Sequence, residues 1–173
     1  MILPKIRDKR FITIRRGGTL TDEDHRLLAV WAAECAGHVL HLFEEARPDD
    51  DRPRRAIEAT YAWVNGEIKM MQARDFAGAA QDSAREVKGI SEAACMAALS
   101  VGQAAVVAYV AAHELGAAAY AIRAVMESVQ KNERETARHA ECLWQRDRLP
   151  DKIRELVLDD QRLRNEICWF VFE

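Results

Sequence analysis

Polar and apolar positions along most of the chain recur with a helical period, and one stretch departs from that pattern by having no polar side. From Ala93 to Ala112 there are twenty residues without a charged side chain, set in a chain that is heavily charged elsewhere. About 18 or more apolar residues are enough to raise the question of a membrane span. This run is mostly Ala, has Ser100, Gly102 and Gln103 inside it, and is followed by His113 and Glu114 with no aromatic belt. Small side chains on every face suit a helix closely surrounded by other helices. The stretch therefore predicts a central core helix with Ser91 as its N-cap, and no association with a membrane.

The flanking segments read as amphipathic helices. Thr21 with Asp24 three residues on forms a variant of the capping box, and the acids Asp22, Glu23 and Asp24 complement the positive end of a helix dipole. The first helix runs from there to about Ala46, with Leu28, Trp31, Cys35, Val39, Leu42 and Phe43 as its buried stripe. After a loop bounded by Pro48 and Pro53, a second helix covers about Arg54 to Val64 and a third Met70 to Val87. Asn65-Gly66 and Lys88-Gly89 stop them. A helix from about His113 to Val129 follows the central one. A mostly polar helix from about Asn132 to Arg148 comes next, with Ala137, Ala140, Leu143 and Trp144 as a thin apolar face. A last helix opens at Leu149-Pro150-Asp151 and turns Ile153, Leu156 and Val157 inward.

Neither end of the chain reads as an ordinary tail. Phe11 to Ile14 is a short β-like run that cannot form a sheet alone, so residues 1–18 are expected to be an extended arm against the helices, turned by Gly17-Gly18. The ending Ile167-Cys168-Trp169-Phe170-Val171-Phe172 is apolar and aromatic, and is expected to pack back on the helices or to make a contact between copies of the chain. Ala56–Val87 and Ala94–Val125 match weakly at an offset of 38 residues, Gly78-Ala79-Ala80 falling on Gly116-Ala117-Ala118. The expectation is an all-α chain of about seven helices in one domain, built on stacked helical hairpins over 21–148, with residues 150–173 as a final helix and tail.

Composition agrees with that class. The 173 residues suit one domain, 49% are apolar and 31% charged, and Gly and Pro are few. A formal charge of −3 leaves no electrostatic footprint for nucleic acid. The start Met-Ile-Leu-Pro-Lys-Ile-Arg-Asp has no apolar h-region. Cys35, Cys95, Cys142 and Cys168 are scattered and read as buried free thiols in a cytoplasmic protein.

Four constellations could carry chemistry. Arg15 and Arg16 with Asp24 and His25 meet around the start of the first helix, where backbone N–H groups and two guanidinium groups could hold an anion. The competing reading is a capped helix end with paired charges. On the last helix Asp160 falls on the apolar seam, and a buried carboxylate needs a partner, for which Arg164 one turn on, Arg15 or Arg16 would serve. Asp160 with these arginines reads as a network locking both termini to the core, as a binding or catalytic carboxylate, or as a residue past the end of the helix; Arg162 and Arg164 are carried with it as binding candidates. Cys35, His38 and His41, with His139 and Cys142, have i, i+3 spacings that a zinc site could use. Cys35 lies in the core stripe and His41 points away, so no metal or cofactor is expected. His113-Glu114 reads as a satisfied polar group or cap. No phosphate loop, His-Glu-x-x-His, Cys-x-x-Cys or Gly-x-Ser-x-Gly motif occurs, and nothing argues for an enzyme.

The segment Ile14 to Ala29 with Trp31-Ala-Ala-Glu-Cys-Ala36 and His38, the middle around Trp63-Val-Asn-Gly-Glu67, and the ending through Leu149-Pro150, Ile153-Arg-Glu-Leu156, Asp160-Gln-Arg162 and Asn165 to Trp169 resemble a family of small bacterial immunity proteins. The resemblance implies a cytosolic partner of a toxin system that binds and blocks a cognate protein toxin, with no catalytic residue to carry over. A helical adaptor, or a small-ligand or metal-binding protein using the cluster at the two termini, is the alternative.

Overall fold

The computed structural model describes residues 2–173, and its helices are α1 (Asp22–Ala46), α2 (Arg52–Val64), α3 (Met70–Val87), α4 (Glu92–Val106), α5 (Glu114–Ser128), α6 (Arg134–Asp147) and α7 (Asp151–Arg164). Helix α4 is the hub. It packs against α1, α2, α3 and α5, and its buried positions are Ala, Cys, Ser, Val and Gly. Small side chains let the neighbouring backbones come close. At Gly116 on α5, an added Cβ would stand 2.5 Å from Gln103 Oε1 on α4. Gly78, the position that the 38-residue offset sets against Gly116, faces open space within 4 Å. The two matched glycines therefore serve different packing, although α2–α3 and α4–α5 are both helical hairpins.

Caps fall where the side chains predict them. Thr21 Oγ1 accepts from the Asp24 N–H at 3.0 Å and donates to Asp24 Oδ2 at 2.7 Å, and Ser91 Oγ accepts from the Ala94 N–H at 3.2 Å. Pro53 sits in the first turn of α2, which begins two residues before the expected Arg54.

Three local expectations are corrected. The charge-free run is not one helix, because α4 stops at Val106 and residues 107–110 turn before a 3-10 turn at Ala111–His113. Val106, Val107 and Val110 are β-branched and favour helix weakly. The break also frees carbonyl groups that buried side chains use, as described below. The N-terminal arm is not extended, since it folds into 3-10 turns at Lys9–Phe11 and Ile14–Arg16. A single bridge joins Thr13 to Leu20, and Gly18 lies so close to Ile12 that a Cβ would fall 2.0 Å from its carbonyl oxygen. The buried face of α6 is not the expected Leu143 stripe, and Leu143 is exposed. Cys142, Glu141 and Gln145 face inward instead; the Gln145 side-chain amide donates to Ala118 O and Glu141 Oε1 while its Oε1 finds no partner among the described residues, and its backbone carbonyl accepts from the Trp31 indole at 2.9 Å.

The C-terminal tail packs back. Cys168, Val171 and Phe172 are buried, and Arg138 and Arg146 donate to the carbonyls of Val171 (3.0 Å) and Phe172 (2.6 Å). Pinned on both sides, Trp169 and Phe170 adopt φ of 59° and 57° and stay exposed.

Candidate functional site

The sequence-level candidates resolve into two places that share the chain from Val107 to His113. The first is a buried ionic lock. Ile153, Val157, Asp160 and Arg164 form the inward seam of α7, as the periodicity predicts. Arg164 Nε donates to Asp160 Oδ1 at 2.8 Å, and its Nη2 stands 3.3 Å from both oxygens of Glu114, which is fully buried at the start of α5. Its Nη1 donates to Ala112 O at 3.0 Å and reaches Ile2 O at 3.5 Å. One guanidinium thus ties the N-terminus, the break before α5 and the last helix together. It serves two carboxyl groups in a place closed to water. Burial drives the Glu114 carboxyl well above the ordinary range, against the pull of Arg164 and with Asp160 adding to the rise.

Two histidines brace the same stretch. His25 on α1 donates through Nε2 to Val107 O at 2.7 Å, and burial holds its pKa below the usual value, so the ring is neutral. His113 donates through Nδ1 to Gln103 Oε1 at 2.7 Å, and burial, helped by Arg164 and Arg7, pushes its pKa down to about 4. A continued helix would have engaged the Val107 and Ala112 carbonyls itself. Its break leaves them for His25 and Arg164.

The second place is an open groove of about 680 Å³ on the far side of that wall. It lies between the N-terminal turns, the end of α2, the start of α3 and residues 108–111. Its walls carry Arg7, Arg15, Arg16 and Lys69. Trp63, Met70, Met71 and Tyr109 supply apolar surface, and His25 contributes its ring, 4.9 Å from the Trp63 centroid. No Asp or Glu lines it. The Arg16 and Arg74 guanidinium groups lie 5.6 Å and 5.5 Å from the Tyr109 ring centroid, within cation–π range.

The expected site residues therefore do not form one cluster. Arg16 and His25 belong to the groove, together with Arg15, whose guanidinium also holds Asp22 at 2.9 Å. Asp160 and Arg164 belong to the lock. Asp24, in the first turn of α1, accepts from the capping Thr21 hydroxyl and faces Lys152 on α7, and Arg162 is exposed and paired with Asp159 at 2.7 Å. Trp63, Lys69, Met70, Met71 and Tyr109 are not among the expected site residues. A lone Tyr in the uncharged run and a Trp just before the Asn65-Gly66 stop are the marks they leave in the sequence. The zinc spacings are used otherwise: Cys35 is a buried thiol, and His38 Nδ1 meets Glu141 Oε2 at 2.9 Å while its ring stacks on Trp144 at 3.7 Å. Among the described residues, no three His, Cys, Asp or Glu gather as a metal would require.

The sequence profile of a family described as "Imm-5 like putative immunity protein" matches residues 18–152. The chain belongs to that family. No curated protein and no solved structure matches it. In this immunity-family chain the matched span holds all of α1 to α6, and with them Glu114, His25, Trp63, Lys69 and Tyr109. Arg7, Arg15 and Arg16 on the groove, and Asp160 and Arg164 in the lock, lie outside it. Among the described residues no helix is long and apolar enough to cross a membrane.

Proposed function

We propose that this protein acts in the cytoplasm as an immunity protein that binds and neutralises a cognate protein toxin, by occupying a surface of the toxin rather than by chemistry. Membership of the immunity family over most of the chain carries the reading. The use of its ionisable groups agrees with it. Asp160, Arg164, Glu114, His25 and His113 are spent on holding the break after α4 in place, which suits a rigid scaffold with a preformed surface. A neutralising protein needs complementarity of shape and charge and no catalytic geometry.

The test is co-expression with each neighbouring reading frame of the native locus in a bacterial host. Growth restored against one toxic neighbour, with a stoichiometric complex of the two purified proteins, is the expected outcome. If no neighbour is toxic, or if the toxin is inactivated by sub-stoichiometric amounts of this protein, the binding reading fails. A second reading, self-association, is favoured by Trp169 and Phe170, which are exposed and held at positive φ. Light scattering before and after Phe170→Ser checks it.

A further inference from the structure

We propose that the groove between the N-terminal turns and α3 is a docking site for an acidic, extended segment of a protein partner, one that carries an apolar side chain between its carboxylates. The inference takes its partner from the immunity reading above and adds where that partner is held and by what chemistry.

The charge distribution is the first argument. The chain has more Asp and Glu than Lys and Arg, with a formal charge of −3. Of its exposed arginines, Arg15, Arg54, Arg85 and Arg162 are paired with carboxylates, whereas Arg7, Arg16, Arg26, Arg55, Arg74 and Arg148 have none within 4.0 Å among the described residues. Arg7, Arg16 and Lys69 all line the groove, and none has a carboxylate within 4.0 Å among the described residues. Unpaired cations occur elsewhere on the surface too, but here three of them border one concavity with no acid on its walls, which leaves the complementary charge to be supplied from outside.

The second argument is the kind of side chain between those cations. Arg, Trp, Tyr and Met are the residue types enriched in the buried centres of protein interfaces. Here Trp63, Tyr109, Met70 and Met71 line the groove together with Arg16 and Lys69, and Met71 is 45% exposed. The Arg16 and Arg74 guanidinium groups both lie within cation–π range of the Tyr109 ring, which restricts that ring before any partner arrives. A volume of about 680 Å³ accommodates a few residues of extended chain and no folded element. Guanidinium groups on the walls match carboxylates in two-point contacts, and the apolar floor takes the side chain between them.

The probe is a synthetic peptide, acetyl-Glu-Asp-Phe-Asp-Glu-amide, titrated into the full-length, isotope-labelled protein while amide and indole resonances are followed by NMR. Saturable shifts at Arg16, Trp63, Lys69 and Tyr109 are expected. The peptide should bind at least roughly tenfold more weakly to Arg16→Glu/Lys69→Glu, and more weakly with rising salt. A basic peptide with the same Phe should not shift these signals. Arg16→Gln/Lys69→Gln, which removes the charges without reversing them, covers the case in which the reversed variant misfolds. No groove shift with millimolar acidic peptide overturns the proposal, as does binding of an oligothymidylate there in the peptide's place.

The toxin arm separates this inference from the immunity reading. If the wild-type chain rescues growth and the charge-reversed chain, folded, rescues equally well, the groove proposal falls and the immunity role stands. If the peptide binds the groove but the wild-type chain rescues against no neighbour, the immunity role falls and the docking site stands.

Discussion

The lock around Arg164 and the groove around Arg16 both set guanidinium charge against the same unwound stretch, and they use it in opposite ways. In the lock, one guanidinium has two carboxyl groups and two backbone carbonyls within reach, in a place without water. In the groove, several cations face solvent with no acid on the walls. Charge satisfied from within holds a fold together, and removing one member leaves the others stranded in low dielectric. Charge left unsatisfied at the surface contributes little to stability and is available to a partner. Predictions that separate the two start in the lock, where the effects are largest.

Arg164→Leu leaves Asp160 and Glu114 buried together without a cation, and should cost about 3–5 kcal/mol of unfolding free energy, read as a fall in the urea midpoint. A cost under about 1 kcal/mol would mean that the seam reopens to water and that no lock exists. The next effect distinguishes the two acids. With its carboxyl raised well above the ordinary range and 3.3 Å from Arg164 Nη2, Glu114 should tolerate Gln at a cost of less than about 1 kcal/mol, whereas Asp160→Asn weakens the 2.8 Å contact with Arg164 Nε and should cost about 3 kcal/mol. Equal costs would show that both acids are ionised.

How far this was legible in the sequence differs between the two places. The seam of α7 put Asp160 inside, and a buried carboxylate called for a cation one turn away, so half of the lock follows from periodicity and solvation. Glu114 stands 50 residues from Arg164 in the chain, and nothing local marks it as the third member. The break at Val106 was hidden for a related reason. An Ala-rich run is compatible with helix throughout, and the side chains that claim its carbonyls, His25 and Arg164, come from far along the chain. For the groove, the sequence marked Arg15, Arg16 and His25 beside the start of α1, and not Arg7. Trp63, Lys69 and Tyr109 come from elements that meet only in the folded state, so no pattern within one helix predicts them.

The histidines give a smaller effect, with a definite sign. The folded chain keeps His113 neutral down to about pH 4, while the unfolded chain protonates it near 6.5. Between these values the unfolded state binds more protons, so this group's contribution to stability is present above pH 6.5 and lost as pH falls towards 4. His25, whose pKa is also lowered by burial, acts in the same direction. Glu114 acts in the opposite direction, because its folded pKa is raised and its contribution is lost as pH rises. Unfolding midpoints of Glu114→Gln at pH 7 and pH 4.5 therefore expose the histidine loss, on the order of 2 kcal/mol, and adding His113→Gln should remove most of it. A slope unchanged by His113→Gln would mean that His113 titrates normally.

The smallest expected change is in the groove, where it bears most on function. Arg16→Glu/Lys69→Glu exchanges solvated cations for solvated anions at positions that hold no carboxylate, so the unfolding free energy should move by no more than about 0.5 kcal/mol. The sign itself is informative. Cations gathered on one concavity repel one another, and reversing two of them should leave stability equal or slightly raised at low salt, with the difference shrinking at 0.15 M, where the screening length is about 8 Å. Arg164→Leu should keep its full cost over the same salt range, because salt does not reach the lock. A groove variant that lost several kcal/mol would place Arg16 and Lys69 among the groups that hold the fold, and the contrast between the two arginine clusters would disappear.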